Sequence, residues 1–189
     1  FFLLLTVIIE LIGRLWASQI GFVKYAMYNI FTSLEFIFYV SLFYLQFKKN
    51  IFRKLVLLFI PFFILIVVLN FIFIQGLNKT FNTYTFLLGS FFIVIFCCCF
   101  FYEAVLPDNI DMQLSKHPFF WICSGLLIYY LGSVIINALF EYLTSNDLRE
   151  EGKRIYANIN NILNVILYSS FCIAFYLCPN NKKTYSLRS

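Results

Sequence analysis

The sequence predicts an all-α fold, a polytopic transmembrane bundle of about six helices. The 189 residues are 62% hydrophobic and only 12% charged, whereas a soluble domain is nearer half apolar and a quarter charged. The mean hydropathy is +0.85. Apolar runs such as Leu55–Ile74 have the roughly 20 residues that cross about 30 Å of hydrocarbon. Composition and run length therefore favour a membrane bundle over a soluble domain.

The first half of the chain contains three of these apolar runs. Residue 1 is a phenylalanine inside an apolar stretch, so we expect the first span to be truncated at its N-terminal side. The second run begins at an aromatic border residue and ends before a pair of lysines. The third contains Pro61 and Asn70 within otherwise apolar sequence. The predicted spans are Phe1–Ile12, Tyr25–Phe47 and Leu55–Ile74.

The second half contains three further runs, bordered by aromatic residues of the kind that mark membrane interfaces. The longest connections are Glu103–Pro118 and Leu143–Ile155. Because the connections are short and no internal repeat is visible, residues 1–178 are predicted to form a single transmembrane helical domain. Residues 179–189 are predicted to form a cytoplasmic tail. The predicted spans are Tyr84–Tyr102, Phe119–Tyr142 and Tyr156–Cys178.

The distribution of lysine and arginine predicts the orientation, because short cytoplasmic loops are enriched in these residues. On one side lie Lys48, Lys49, Arg53, Lys54, Lys116, Lys182, Lys183 and Arg188. On the other side lie Arg14, Lys24, Lys79, Arg149, Lys153 and Arg154. The larger first group predicts that the second loop and the C-terminus are cytoplasmic.

Polar side chains within the spans gather toward the predicted outer side. Asn29 lies about one turn into the second span, and Glu35 lies about 15 Å deep, near the midplane. The inner halves of the spans are almost purely apolar. A buried carboxylate or amide in lipid needs a partner or a function, so these positions are the predicted binding site. The candidate residues are Glu10, Asn29, Glu35, Asn70, Asn137, Glu141, Asn161 and Asn164.

Helical spacing places many polar residues on common faces, at intervals of three and four residues. Lipid offers no hydrogen bonds, so we expect these faces to turn inward. The faces comprise Tyr28, Thr32, Glu35 and Tyr39 in the second span, Tyr130, Ser133, Asn137 and Glu141 in the fifth, and Asn161, Asn164, Tyr168 and Cys172 in the sixth.

A structural role competes with a binding role for these residues. Asparagine, serine and threonine join membrane helices through hydrogen bonds that each stabilise by about 0.6 kcal/mol on average. A charge at mid-bilayer costs at least about 2.5–3.5 kcal/mol. We therefore expect the asparagines to act mainly as interhelical contacts and Glu35 to be the position most directly involved in function. Gly125 and Gly132, seven residues apart, are predicted to allow close helix approach.

The sequence contains no recognisable catalytic or metal-binding constellation. The only histidine, His117, lies in a loop and has no helical serine partner for intramembrane proteolysis. A single histidine without carboxylates at metal spacing does not indicate a zinc site. Glu150, Glu151 and Arg154 resemble a motif of CAAX-type proteases, but the arginine is one residue too close, and a solvated charged loop is the better interpretation. The chain is therefore predicted to be no enzyme and to bind no cofactor.

Two segments carry a resemblance to a known family. The first runs from Lys116 to Tyr130, and the second is Asn160–Asn164. They resemble an uncharacterised family of small polytopic bacterial inner-membrane proteins. The resemblance implies a multi-pass location in the bacterial inner membrane, and it assigns no activity and no site residue.

The leading functional hypothesis is a non-enzymatic integral membrane protein with a polar intramembrane pocket in its outer half. It would be a sensory or binding module or an accessory subunit of a membrane complex. One alternative is a small secondary transporter or a proton- or cation-conducting protein that uses Glu35. Another is a lipid-processing membrane enzyme, which the lack of a nucleophile–base pair disfavours.

Membrane lipids and other membrane protein subunits, or further copies of this chain, are the expected partners. The net charge of +5 is explained by basic loops that flank membrane spans and contact anionic lipid headgroups. It does not predict nucleic-acid binding.

Overall fold

The computed structural model describes residues 6, 8–9, 21–77, 81–106, 114–145 and 149–186. Every regular element in this part of the chain is helical. A π-helical segment, Asn70–Ile74, continues the second long helix, and a short 3₁₀ helix, Leu114–Lys116, precedes the fourth. The long helices are α1 (Gly21–Gln46), α2 (Asn50–Leu69), α3 (Thr83–Val105), α4 (Pro118–Ser145) and α5 (Arg149–Ser186).

All five long helices contain a segment that is long and apolar enough to cross a membrane. This result confirms the prediction of an all-helical fold with several helices that could span a membrane. The first predicted span, Phe1–Ile12, lies almost entirely outside the described residues. A sixth crossing and the truncation of the first span therefore stay predictions.

The helices extend further into the charged segments than predicted. Arg53 and Lys54, which we assigned to a loop, lie in the first two turns of α2. Glu103 lies in the last turn of α3, and Glu150–Arg154 belongs to α5 rather than to a solvated loop. Long charged side chains lose little rotamer freedom in a helix, and near a helix end they reach water. A charge therefore marks the membrane border without ending the helix.

The end of α2 turns the chain back toward α3. Pro61 lies within α2 without ending it. The carbonyl of Asn70 accepts hydrogen bonds from the backbone N–H groups of Gln75 (3.1 Å) and Gly76 (3.3 Å). Gly76 adopts a φ of 73°, which a glycine reaches without a Cβ clash. Gly76 therefore ends the helical path and starts the connection to α3.

The interior of the bundle is mainly aromatic. α1 packs against α2 and α3, α3 packs against α4, and α4 packs against α5. Phe36 of α1 is 1% exposed, and its ring centroid lies 5.7 Å from that of Phe63 and 5.4 Å from that of Tyr130. Such tilted and edge-to-face pairs are favoured ring geometries. Phe36 thus joins α1 to both α2 and α4.

The most extensive helix contact is between α4 and α5, and glycine makes this contact possible. A Cβ atom on Gly125 would lie 1.8 Å from Ser170 Oγ, and one on Gly132 would lie 2.6 Å from Leu163 Cδ2. Small residues allow helix backbones to approach in this way. The structure therefore gives both glycines the role that their spacing predicts, with α5 as the partner helix.

We name the two ends of the bundle after the residues that organise them. The Asn29 end contains the first turns of α1, the described residues 75–77 and 81–82 of the α2–α3 connection, the last turns of α4 and the first turns of α5. The Glu103 end contains the turn Phe47–Lys49 between α1 and α2, the last turn of α3 and the beginning of α4.

Candidate functional site

Asn29 holds the connection between α2 and α3. Its side chain is 2% exposed. Its Nδ2 donates to the carbonyl of Leu77 at 2.8 Å, and its Oδ1 accepts from the backbone N–H of Asn82 at 3.0 Å. Both ends of the amide bind backbone of the same connection. Asn29 therefore positions this connection.

Asn70 joins the same connection to the first turn of α3. It is 1% exposed, and its Nδ2 donates to Thr85 Oγ1 at 2.8 Å and to Gln75 Oε1 at 3.1 Å. Gln75 Oε1 also accepts from the backbone N–H of Tyr84 at 3.3 Å. Asn70 Oδ1 is buried and has no hydrogen-bond partner among the described residues. A buried acceptor without a donor costs about 1–3 kcal/mol, so an additional donor here would stabilise this end.

A cleft of about 900 Å³ opens at the Asn29 end. Gln75, the first turns of α3, the C-terminal part of α4 and the beginning of α5 surround it. Its volume lies within the range of about 300–1,000 Å³ that is usual for small-molecule sites. Its polar lining residues are Gln75, Thr83, Tyr84, Asn137, Lys153 and Tyr156, and its apolar lining residues are Phe81, Leu87, Val134, Ala138 and Phe140.

Among the predicted site residues whose side chains are described, Asn137 lines the cleft. Its Nδ2 donates to the carbonyl of Ser133 at 2.7 Å, and its amide interacts with the hydroxyl of Tyr156 on α5. Lys153 lies on the rim, where its Nζ is 2.7 Å from Glu150 Oε1 and both side chains are exposed. An exposed pair of this kind contributes about 0–1 kcal/mol. The Lys153 ammonium can therefore exchange Glu150 for an incoming anion.

Glu35 lies near the middle of α1 and does not line the cleft. Its Oε1 accepts a hydrogen bond from the hydroxyl of Tyr39, one turn later, at 3.0 Å. The ring of Tyr39 in turn lies 6.3 Å, between centroids, from that of Tyr130 on α4. Glu35 therefore belongs to a tyrosine-rich cluster between α1 and α4.

α5 is rotated differently from the prediction. Asn161 and Cys172 are exposed, so the expectation that they turn inward is wrong, whereas Asn164 and Tyr168 of the same predicted face are half-buried. Asn164 is half-buried and donates from Nδ2 to a carbonyl one turn earlier in its own helix, at 2.9 Å. Leu163 and Leu167 occupy the buried side of α5. Burial of these leucines, rather than of the amides, sets the rotation of the helix.

The eight predicted site residues therefore occupy several places. Glu10 lies outside the described residues, as does the side chain of Glu141. Asn29 and Asn70 meet at the α2–α3 connection, and Asn137 lies in the neighbouring cleft. Glu35, Asn161 and Asn164 lie elsewhere.

A buried carboxylate at the opposite end, Glu103, was not among the predicted site residues. It is 5% exposed. Both of its oxygens accept from the backbone N–H of Lys48 at 3.1 Å, and Oε1 accepts from that of Lys49 at 2.5 Å. These N–H groups lie at the N-terminus of α2, where the helix dipole favours a negative charge. Glu103 therefore holds the turn between α1 and α2.

The position of Glu103 corrects the expectation that the inner halves of the spans are almost purely apolar. The sequence does contain a signal that Glu103 is buried. Ala104, Val105 and Leu106 follow it and continue the apolar run. A carboxylate inside an apolar run is typical of a buried, hydrogen-bonded group.

His117 lies at the same end, directly before α4. Burial, together with the nearby ammonium of Lys48, lowers the pKa of His117 below its ordinary value. Its ring centroid lies 6.3 Å from that of Phe100. The Glu103 end therefore favours the neutral form of this imidazole.

Binding is the chemistry that the described groups support best. Within the described part of the chain, no group of three or more His, Cys, Asp or Glu side chains could hold a metal ion. Cys97 and Cys123 are buried, and each sulfur faces the other residue's carbonyl, at 3.5 Å and 3.7 Å. This arrangement is typical of helix packing. The cleft offers hydrogen bonds, one cation and apolar walls.

No family model, curated protein or solved structure matches this chain. The geometry of the cleft is therefore the basis for assigning a function.

Proposed function

We propose that this chain is a non-enzymatic integral membrane protein, a binding module that takes up a small amphipathic molecule at the Asn29 end. The observation that carries the proposal is the cleft of about 900 Å³ in which Asn137, Lys153 and Tyr156 face apolar walls. Small-molecule sites combine a mainly apolar lining with a few polar groups that fix the orientation of the ligand. The amide and hydroxyl bind the polar head, and Lys153 favours a negative charge on it. Leu87 and Val134 contact the apolar part.

We place the protein in the bacterial inner membrane, with the Glu103 end in the cytoplasm. Lys48, Lys49, Arg53 and Lys116 cluster at the Glu103 end, and cytoplasmic loops are enriched in such residues. This orientation opens the cleft toward the outer side. A ligand would then reach it from outside the cell or from the outer leaflet.

Proton or cation conduction through Glu35 is less well supported. Such a path needs polar groups from Glu35 to the Glu103 end. The core positions of α1 along this stretch are Val40, Phe43 and Phe47, each 0% exposed. Their packing makes the interior between Glu35 and the Glu103 end apolar. Binding therefore fits the geometry better than conduction.

Thermal unfolding in lipid nanodiscs tests the proposal with three eight-carbon probes. Octanoate carries a negative charge, octanol carries none, and octyltrimethylammonium carries a positive one. A ligand that binds the folded state raises the melting temperature, and the rise grows with the ratio of free ligand concentration to dissociation constant. We expect octanoate to stabilise the protein most and octyltrimethylammonium least. An absence of any specific shift would contradict the binding module and leave the accessory-subunit hypothesis.

Two asparagines form a matched pair of variants for this test. Asn137 and Asn164 each donate to a carbonyl four residues earlier in their own helix, at 2.7 Å and 2.9 Å, but only Asn137 lines the cleft. Asn137→Leu should abolish most of the octanoate shift, and Asn164→Leu should retain it. Equal losses in both variants would show that the octanoate effect does not come from the cleft.

A further inference from the structure

α5 lies at the edge of the bundle. Among the described helices it packs extensively on α4 alone. Its buried side includes Leu163, Leu167, Ser170 and Ala174. The opposite side of α5 is exposed from Glu150 to Cys178, so about half of this segment faces the membrane.

The exposed side carries a seam of mainly polar residues. At about 100° per residue, the seam residues fall within an arc of about 80° that is centred opposite the buried leucines. Their spacings of four and three residues are those that let two helices pack side by side. Every one of them is exposed. The seam consists of Arg154, Asn158, Asn161, Val165, Ser169 and Cys172.

Two amides of this seam lie deep in the span. The spanning segment of α5 is Glu150–Cys178, so its centre falls near Asn164, and Asn161 lies about 5 Å from that centre at about 1.5 Å per residue. Asn158 lies about 9 Å from it. Neither amide hydrogen-bonds a described residue, and hydrocarbon offers them no partner. A neighbouring helix that supplies hydrogen bonds would remove this cost.

The chemistry of the seam matches a second copy of itself. An asparagine amide both donates and accepts, so the same asparagine on two parallel helices can pair across a two-fold axis. Glu151 and Arg154 are both exposed at the start of α5. Across the same axis, Glu151 of each copy would face Arg154 of the other. Ser169 and Cys172 are small and permit close approach at the other end.

We propose that α5 joins two copies of this chain into a parallel, two-fold dimer through the seam. All copies insert into the membrane in one orientation, which satisfies the parallel arrangement. The dimer interface lies on the side of α5 away from α4 and leaves the cleft open. This interface is independent of the ligand proposed for the cleft.

Oxidative cross-linking of the full chain in membranes tests the geometry. The exposed cysteines outside the seam and half-buried Cys99 are first removed by Cys98→Ser, Cys99→Ser and Cys178→Ser, while buried Cys97 and Cys123 stay. We expect Cys172 to form a disulfide-linked dimer. In the control, Cys172→Ala is combined with Ile173→Cys, which moves the thiol about 100° around the helix. Equal cross-linking of both proteins would overturn the proposal.

The strength of the dimer is measured by energy transfer between fluorescently labelled copies in liposomes. Dilution of the protein with lipid gives the dimer dissociation constant. Asn161→Leu should raise the dimer dissociation constant about tenfold, and Asn164→Leu should leave it unchanged. If the chain stays monomeric and Cys172 is protected from a membrane-permeant maleimide, the seam is covered by residues 1–20 of the same chain. If the chain stays monomeric and Cys172 reacts with the maleimide, the seam faces lipid. Either result would overturn the dimer.

Discussion

The two ends of the bundle hold their connections by different chemistry. At the Asn29 end, the neutral amides of Asn29 and Asn70 tie the α2–α3 connection to α1 and α3. At the Glu103 end, one carboxylate accepts hydrogen bonds from the backbone of Lys48 and Lys49. Hydrogen bonds to an ionised group are roughly twice as strong as those between neutral groups. The Glu103 end is therefore expected to be the more firmly held.

The weaker end is also the one that contains the cleft. Polar atoms of Asn70 and Asn82 are buried there without hydrogen-bond partners among the described residues. Binding sites and mobile loops are drawn from the less stable parts of a fold. The contrast suggests a division in which the Glu103 end anchors the bundle and the Asn29 end adjusts to a ligand.

Removal of the Glu103 carboxylate should have the largest effect on stability. Glu103→Ala leaves the N–H groups of Lys48 and Lys49 without their buried acceptor, and we expect a loss of about 3 kcal/mol in the free energy of unfolding. Glu103→Gln keeps one acceptor oxygen and should lose less. Unfolding by denaturant in mild detergent measures both changes.

The control for this variant is Glu151→Ala, because Glu151 is an exposed carboxylate at the other end of the bundle. Its removal should change the free energy of unfolding by less than about 0.5 kcal/mol. If Glu103→Ala were no more destabilising than Glu151→Ala, the Glu103 end would not be held by charge, and the comparison of the two ends would fail.

The fold was largely predictable because its signal is long and local. Apolar runs of about 20 residues identify spans without knowledge of their partners, and the five described helices include predicted spans two to six. Helix ends were less predictable, because a charge near the membrane border is compatible with both a helix and a loop. Arg53, Glu103 and Glu150 illustrate this ambiguity.

The candidate site was less predictable because it depends on helix rotation. Polar spacing placed Asn161 on an inward face, yet the burial of Leu163 and Leu167 turns that face outward. The sequence predicts Asn29 and Asn70 on the same side of the membrane, but sequence spacing does not reveal that both bind the same connection. Contacts between residues far apart in the chain decide these roles.

Removal of the Asn29 amide should have an intermediate effect. Asn29→Ala removes the bonds to Leu77 and Asn82, and we expect a loss of about 1–2 kcal/mol in the free energy of unfolding. The effect should also be local. Hydrogen exchange of the Asn82 backbone N–H should accelerate more than that of Lys49 at the other end.

Asn164→Ala provides the matched control, because among the described residues this amide binds a carbonyl of its own helix and no other group. It should leave exchange at Asn82 unchanged. Uniform acceleration at both ends in Asn29→Ala would mean that the two connections open together, and the proposed division between a firm and an adjustable end would be lost.

The smallest effect concerns pH and belongs to the Glu103 end alone. His117 is the only histidine of the chain, and burial and Lys48 lower its pKa in the folded state. As the pH falls through about 6.5, the unfolded chain binds a proton that the folded chain does not yet bind, so stability decreases. We expect the melting temperature to fall between about pH 7.5 and about pH 5.5. His117→Gln should flatten this dependence, whereas Asn29→Ala should lower stability at every pH and keep the slope. If the melting temperature of His117→Gln depended on pH as steeply as that of the unmodified protein, the acid sensitivity would arise from another group. The two ends would then not differ in their response to pH.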